Sequence, residues 1–261
     1  MCLIPTLAML VSPARASNLI LNGSFDVTGT TTGSFSNTGQ TATLPGWVAP
    51  VRSDNNQITC VVPGSATAAP NLICIGTGAT QTQPKFSVWA APGPSPNGGN
   101  YFLEDGWTTG QVALSQTVTG LKVGHTYQLS FWQASAQEDC LFDDGTSCDP
   151  TVPPLNTETE QWQVTFGATT INSTLMTTPI HTSIPWNEQI MNFTATSTSQ
   201  LISFLALGTP TNGPPLVLLD GIDLEETPEP GSGALIALGL LLCLPLGRMF
   251  LRKRPKHPPL P

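Results

Sequence analysis

Basic residues are almost missing from the main part of this chain. Between Ser17 and Thr227 there are three, Arg52, Lys85 and Lys122, against 16 acidic residues, which gives a formal charge of −13. A protein that binds nucleic acid needs Lys and Arg to displace counterions from the phosphates. The charge therefore excludes a nucleic-acid partner and favours an extracellular surface that binds neutral sugars or divalent cations.

Recognisable catalytic motifs are missing as well. There is no Gly-x-Ser-x-Gly sequence, and the histidines of this region, His125 and His181, lack the spacing of a zinc site or of a catalytic triad. The many carboxylates leave one alternative, because a glycosidase needs only two of them at the right separation. The sequence favours a protein that is not an enzyme.

Helical periodicity is the third absence between Ser17 and Thr227. Short runs rich in Val, Ile, Thr, Phe and Trp alternate with Gly, Pro, Asn and Ser. In His125–Trp132 the side chains of Tyr127, Leu129 and Phe131 share one face, which is typical of a half-buried strand. The other predicted strands are Asn18–Leu21, Ile58–Val62, Leu72–Ile75, Phe86–Ala90, Tyr101–Leu103, Val112–Val118, Glu160–Phe166, Thr170–Met176, Gln189–Ala195, Leu201–Leu207 and Leu216–Leu224.

These runs predict one all-β domain over residues 17–227, an antiparallel β-sandwich. Two segments are predicted to leave the sandwich, Val48–Pro84 and Gln137–Thr157. The second contains the acidic stretch Asp139–Asp149 and three prolines, so we expect it to be an exposed loop that is a weak cation-binding candidate.

Four cysteines lie within this domain. No Cys-x-x-Cys motif and no neighbouring His points to a metal site, so disulfides are predicted, with free thiols or a metal site as the alternative. Four cysteines allow three connectivities. Local pairing is the simplest of them, with one bond across a candidate hairpin and one closing the acidic loop; the pairs would be Cys60 with Cys74 and Cys140 with Cys148.

The N-terminal residues predict export. An apolar run, Cys2–Val11, is followed by Ala14-Arg15-Ala16, whose small residues suit signal peptidase. Residues 1–16 are therefore predicted to be a signal peptide and Ser17 the mature start. The absence of Lys and Arg before the apolar run is atypical of such a peptide.

The C-terminal residues have three successive parts. Pro228-Glu229-Pro230 precedes the apolar run Ala234–Leu246, and the basic cluster Arg252-Lys253-Arg254 follows, with a short tail at residues 257–261. A helix over about residues 233–251 would only just span the ~30 Å of bilayer hydrocarbon, with the basic cluster on the cytoplasmic side. A buried core helix is a poor alternative, because such a helix would be amphipathic rather than apolar all round.

In this order and spacing, residues 228–256 resemble the PEP-CTERM sorting signal of Gram-negative bacteria. The resemblance implies recognition by an exosortase-type membrane protease and a role beside exopolysaccharide in the cell envelope or the extracellular matrix. Whether the tail is cut or retained stays open.

The domain in front of this segment resembles the galactose-binding-like jelly rolls, which include carbohydrate-binding modules. The resemblance is carried by Asn18–Asp26, Leu114–Val118, Gly124–Trp132 and Leu218–Leu224. It implies a jelly-roll fold and, in several members, a structural calcium ion, for which Asp26 and Asp220 would be ligands here. Asp26 stands where the family usually has Glu, and the alternative is that Asp26 only caps a turn.

Sugar binding calls for aromatic faces beside a few carboxylates or amides. We consider Trp107 a candidate, with Glu104 and Asp105 in the same predicted loop, Glu104–Gly110. Trp132 is the other candidate, because its alternation with Phe131 puts it on an outer sheet face. Trp162 is expected in the core, and packing remains the alternative for each tryptophan.

The leading hypothesis is an exported, non-catalytic surface or matrix protein that binds polysaccharide through its jelly roll. The alternative is a structural coat protein that acts through protein–protein contact. A small glycan-processing enzyme is the third possibility.

Overall fold

The computed structural model describes residues 17–27, 44–48, 59–64, 71–73, 85–106, 112–138, 157–209 and 215–227. These ranges contain strands, turns and bends but no helix, so none of them holds a helix able to cross a membrane. The described residues from 17 to 226 belong to one compact unit, and Thr227 belongs to a second. The predicted signal peptide, the sorting segment 228–256 with its helix over about 233–251, and the tail 257–261 therefore lie outside the described residues.

Twelve strands make up the described fold. They are β1 (Thr59–Val62), β2 (Asn71–Ile73), β3 (Lys85–Ser87), β4 (Tyr101–Asp105), β5 (Leu114–Thr119), β6 (Thr126–Gln137), β7 (Glu158–Phe166), β8 (Thr169–Asn172), β9 (Met176–Thr178), β10 (Ser183–Thr194), β11 (Ser199–Thr209) and β12 (Pro215–Glu226).

The predicted strands overlap these elements, although β6 and β10 are longer than predicted, and there are two larger differences. The segment predicted as Thr170–Met176 is divided into β8 and β9. Asn18–Leu21 is not a strand: the Leu19 N–H donates to the Leu224 carbonyl (3.0 Å), while the Asn18 side chain donates to the Ile222 carbonyl (3.1 Å) and accepts from the Leu224 N–H (3.0 Å). A polar side chain here replaces the backbone ladder that a strand would form.

The strand pairing is nested from the outside inwards. Strand β4 pairs with β12, β5 with β11, β6 with β10 and β7 with β8, all antiparallel. Sheet A has the order β1-β4-β12-β6-β10, and sheet B has the order β5-β11-β7-β8 with β9 also paired to β7. Such pairing across two sheets is that of a jelly roll. The predicted all-β, antiparallel sandwich is confirmed.

The core lies between the two sheets. Strand β7 alternates strictly between buried and partly exposed residues, with Trp162, Val164 and Phe166 facing inward. Trp162 is fully buried, as predicted, and its indole N–H donates to the Leu218 carbonyl (3.1 Å). Aromatic rings account for much of this core, since Trp162 meets Phe102 and Phe204 at centroid separations of 6.4 and 6.3 Å.

A second, smaller cluster covers one end of the outer face of sheet A. Leu103, Ala134 and Leu218 belong to it, whereas their strand neighbours Phe102 and Leu219 face the main core. Trp186 packs over the cluster and donates its indole N–H to the Gly93 carbonyl (3.0 Å). The outer face of sheet A is thus covered at one end, and at the other, open end Gln128, Glu188 and Ile190 are exposed.

The predicted excursion Val48–Pro84 is partly wrong. Its Thr59–Val62 portion is strand β1 at the edge of sheet A, paired with β4, while β2 pairs with β3. The candidate hairpin of Cys60 and Cys74 would pair β1 with β2. Among the described residues β1 pairs with β4 and β2 pairs with β3 instead. Cys60 is fully buried and disulfide-bonded; Cys74, Cys140 and Cys148 lie outside the described residues.

Candidate functional site

The open end of sheet A is organised around its strand β6. Alternation in β6 buries Tyr127, Leu129 and Phe131 in the core, so the residues between them point outward. These outward residues include Trp132, which is partly exposed and lies where the alternation predicted it.

The neighbouring strands surround Trp132 with polar side chains. Residues directly opposite on antiparallel strands point to the same side of the sheet, and Trp132 lies opposite Glu188 of β10 and Asp220 of β12. The next pairs are Ser130 with Ile190 and Asp223, then Gln128 with Asn192 and Glu225. We call this surface the Trp132 face; it consists of Gln128, Ser130, Trp132, Glu188, Ile190, Asn192, Asp223 and Glu225.

A β-bulge in β12 shapes this face. The register shifts by one residue between Asp220 and Asp223, and Gly221 at the bulge has φ +59°, as in bulges that begin with a left-handed glycine. The extra residue puts both aspartates on the outer side and leaves Ile222 in the core. A Cβ atom at Gly221 would lie 3.0 Å from Trp132 Cδ1, so the indole packs closely against this turn of chain.

The two predicted calcium ligands lie near each other at one border of this face. Asp220 is fully buried; its Oδ1 atom accepts from the Gly221 N–H (2.6 Å) and the Asn97 side chain (3.4 Å), while its Oδ2 atom has no hydrogen-bond partner. Asp26 accepts from the Asn100 N–H (2.8 Å) through Oδ1. Burial, and to a smaller extent the nearby Asp26 carboxylate, raise the pKa of Asp220 to about 7, and hydrogen bonds from Ser95, Gly221 and Asn97 oppose this rise.

This arrangement meets part of what calcium requires. A buried carboxylate oxygen without a partner and a second carboxylate beside it suit a hard divalent cation. Among the described residues, however, no three His, Cys, Asp or Glu side chains converge on one point. A complete coordination shell would need backbone carbonyls in addition to Asp26 and Asp220.

Glu104 and Asp105 belong to strand β4 rather than to the predicted loop. Glu104 is completely buried and Asp105 is 2% exposed. Glu104 lies on the same side of β4 as the core residue Phe102, and Asp105 lies on the side of Leu103 in the second cluster. Neither carboxylate is on the surface that a polymeric ligand would meet. Trp107 lies outside the described residues.

Two further buried carboxylates were missed in the sequence. Glu158 and Glu160 continue the inward-facing series of Trp162 towards the start of β7, and both are fully buried. Burial, followed by the Glu160 carboxylate, raises the pKa of Glu158 to about 8, and burial raises that of Glu160 to about 7. The Thr178 hydroxyl donates to Glu160 Oε2 (2.8 Å). Extending the alternation backwards from Trp162 would have revealed this pair.

Neither carboxylate oxygen of Glu158 accepts a hydrogen bond. The Gln137 side chain lies close enough to lower its pKa, which opposes the effect of burial. This inter-sheet pair is a determinant of stability and is closed to a large ligand.

The two histidines among the described residues, His125 and His181, contact neighbouring side chains. His125 precedes β6, and its Nδ1 atom lies 2.7 Å from a carboxylate oxygen of Glu226, which also receives Lys122 (2.8 Å to the second oxygen). His181 stacks on Trp89 with a centroid separation of 3.8 Å. Trp89 is 43% exposed and lies by Gln137, at the covered end of sheet A.

No protein-family model matches this chain, and no curated protein matches it in sequence. Solved structures that resemble it include carbohydrate-binding modules. The xylan-binding CBM22-1 domain of Paenibacillus barcinonensis Xyn10C is 13% identical, with 83% of this chain and 99% of that chain covered and a TM-score of 0.37. TmCBM61, solved with β-1,4-galactotriose, is 11% identical, with coverages of 81% and 100% and a TM-score of 0.38.

The enzymatically active domain of tailspike protein 4 from bacteriophage CBA120 is also similar, at 11% identity and a TM-score of 0.36. The similarity covers 80% of this chain but spans only 21% of the tailspike chain. The jelly-roll assignment rests on the strand pairing described above.

Proposed function

We propose that this is an exported, non-catalytic protein that binds polysaccharide on the Trp132 face. The observation that carries the proposal is the position of Trp132 in the middle strand of an open sheet end, between Glu188 and Asp220. An indole offers a flat apolar surface to the C–H groups of a sugar ring. The amides and carboxylates around it supply acceptors and donors for sugar hydroxyls.

The sorting of the protein is part of the same proposal. Pro228-Glu229-Pro230, the apolar run and Arg252-Lys253-Arg254 support recognition by an exosortase-type protease, with the folded domain on the outer side of the membrane. The predicted signal peptide of residues 1–16 supports export. The protein would then reside at the cell surface or in an exopolysaccharide matrix, where a binding domain without catalytic machinery has a clear use.

Replacing Trp132 tests the binding site. We expect Trp132→Ala in the full chain to lower affinity for a bound polysaccharide roughly 30-fold, which is the effect of removing a central aromatic contact worth about 2 kcal/mol. Binding is measured by affinity electrophoresis and by calorimetry against a panel of soluble neutral, cationic and anionic polysaccharides.

Trp89→Ala is the matched control, because it removes another exposed indole at the covered end of the same sheet. It should retain most of the affinity. Equal losses in the two variants, or no binding to any polysaccharide by the unmodified chain, would contradict the proposal. Self-association without any glycan would instead point to a structural coat protein.

We also propose that a calcium ion bound by Asp26 and Asp220 stabilises the domain. Calcium at about 100 times its dissociation constant should raise the free energy of unfolding by about 2.7 kcal/mol. Thermal unfolding of the full chain in calcium and in EDTA measures this difference. Asp220→Asn should abolish the calcium-dependent shift, whereas Glu188→Gln should preserve it; an identical midpoint in calcium and EDTA would exclude the ion.

A further inference from the structure

Among the described strands, the outer face of sheet B carries no charged side chain. In β7 the side chains of Trp162, Val164 and Phe166 face the core, so the residues between them face outward. The strand registers extend this outer surface across the sheet, and every outward residue of β5, β7, β8, β9 and β11 is Ser, Thr, Asn, Gln or Leu. We call this surface the sheet B face; at its centre lie Leu201, Ser203, Leu205, Leu207, Gln161 and Gln163.

The sheet B face is accessible and partly apolar. Leu201 is 51% exposed, and Leu205 and Leu207 on the same strand are partly exposed. Val48 is 68% exposed and lies opposite Ser115 of β5, so its side chain is on the same side of the sheet. Residues 17–227 have a formal charge of −13. A broad surface without acidic residues is therefore where another acidic molecule meets the least repulsion.

Cross-strand hydrogen bonds hold several side chains of the sheet B face in position. The hydroxyl oxygens of Thr159 and Thr209 lie 2.6 Å apart, and the Gln163 amide donates to the Asn172 side-chain oxygen (3.3 Å). Side chains that are already ordered lose less conformational entropy when a partner binds. The face is in this sense prepared for an interaction.

We infer that two copies of this chain associate through their sheet B faces. Hydroxyl and amide side chains both donate and accept hydrogen bonds, so one such surface can be complementary to an identical one, as a two-fold symmetric dimer requires. No aromatic side chain faces outward on the described strands of sheet B, so a sugar ring would have no ring to stack on. A second copy fits this surface better than a glycan.

The size of the sheet B face suits a weak but specific dimer. Four strands about 4.8 Å apart, crossed by the full length of β11, give a face of roughly 15 by 35 Å, or about 500 Å². Two copies would bury about 1,000 Å² in total, which is near the lower limit of specific interfaces. The Trp132 face belongs to the other sheet and stays accessible in both copies. The inference goes beyond the proposed function, because a dimer would offer two binding faces to polysaccharide.

Sedimentation velocity of the full chain at several protein concentrations measures this association. Mild detergent is added to cover the apolar run 234–246. We expect a dimer with a dissociation constant of about 10–100 μM. Raising the salt concentration from about 0.05 to about 0.5 M should tighten it, because salt screens the repulsion between two acidic copies. A dimer held together by charge pairs would weaken instead, and that result would contradict the inference.

Charge variants locate the interface. Leu201→Glu should raise the dissociation constant of the dimer at least about tenfold, because a carboxylate would be buried in the interface without a cation. Gln163→Glu, which has nearly the same shape as the original side chain, should have the same effect. Val123→Glu is the matched control: it adds the same charge at a residue that is 59% exposed, in the turn before β6 and outside the sheet B face. It should leave association unchanged.

The dimer and the proposed function can fail separately. Trp132→Ala should associate like the unmodified chain, and Leu201→Glu should keep its affinity for polysaccharide when measured below the dissociation constant of the dimer. Association together with polysaccharide binding also differs from the structural alternative, in which no polysaccharide binds. A chain that stays monomeric at about ten times the expected dissociation constant, or equal association of all three charge variants, would overturn the inference. Loss of polysaccharide binding in Leu201→Glu would overturn it too, because the sheet B face would then contact the glycan.

Discussion

Raising the pH from about 5 to about 9 should destabilise the folded protein by several kcal/mol. In the folded chain burial raises the pKa of Glu158 to about 8 and that of Glu160 to about 7, from 4.5 for both groups in their ordinary state. A carboxyl group with a raised folded pKa holds its proton more tightly in the folded chain than in the unfolded one. Its contribution to stability is complete below the unfolded pKa and is lost as pH rises through the folded pKa.

The free energy of unfolding is therefore expected to fall between about pH 4.5 and about pH 8. Each pKa unit corresponds to about 1.4 kcal/mol, so Glu158 alone would contribute about 5 kcal/mol across this pH range. The charges of Glu138 and Asp105 are among the causes that raise the pKa of Glu158 to about 8. Asp220, with its pKa raised to about 7, acts in the same direction.

Urea unfolding at several pH values measures the slope of the free energy of unfolding against pH. The double variant Glu158→Gln with Glu160→Gln should flatten it and should be more stable than the unmodified chain at pH 9, since amides of similar shape carry no charge. Thr178 can still donate to the amide oxygen at position 160. Glu188→Gln, which removes an exposed carboxylate, should leave the slope unchanged. A free energy of unfolding that stays constant or rises between pH 5 and 8 would contradict the assignment.

Replacing Trp162 should be the most damaging substitution in the core. Trp162→Ala removes a fully buried indole between Phe102 and Phe204 and leaves the Leu218 carbonyl without its donor. Deleting a buried aromatic side chain costs about 3–5 kcal/mol, because transfer energy is lost and a cavity remains. We expect a loss of this size in urea unfolding.

Trp162→Phe separates the loss of the hydrogen bond to Leu218 from the loss of the aromatic side chain. It keeps an aromatic ring in the space but cannot donate to Leu218, so it should cost about 1–3 kcal/mol, the penalty for a buried polar atom without a partner. Trp132→Ala is the control at a partly exposed position and should cost less than Trp162→Ala, because less of its apolar surface is buried. If Trp162→Ala and Trp132→Ala lowered the free energy of unfolding by similar amounts, Trp162 would not be the central core residue described above.

Much of the candidate site follows from alternation within single strands. The apolar positions Tyr127, Leu129 and Phe131 are enough to place Trp132 on the outer side of β6, and they do so without knowledge of any neighbour. The same rule puts Glu160, the first residue of the predicted strand Glu160–Phe166, and Glu158 before it on the side of Trp162. Alternation alone does not predict that these two side chains are buried, since Glu is seldom fully buried.

The surroundings of Trp132 could not be predicted in this way. Alternation gives the side on which a residue lies but not the strand that lies beside it. Glu188 is 56 positions from Trp132 in sequence and becomes its neighbour only through the β6–β10 register. The bulge at Gly221 shifts the alternation of β12 by one residue. Asp220 and Asp223 therefore share a side although their positions differ by three, an odd number.

The sequence by itself therefore determined the all-β class, the antiparallel sandwich, the buried position of Trp162 and the acidic charge, because these depend on composition and on local periodicity. The tertiary structure decided that β1 joins β4 instead of forming a hairpin with β2, that Glu104 and Asp105 lie buried in a strand, and that an indole is surrounded by acidic residues from two other strands. The physical reason is that sheet pairing joins residues far apart in the chain. Its register is selected by the burial of whole strand faces, and no single stretch of sequence contains that information.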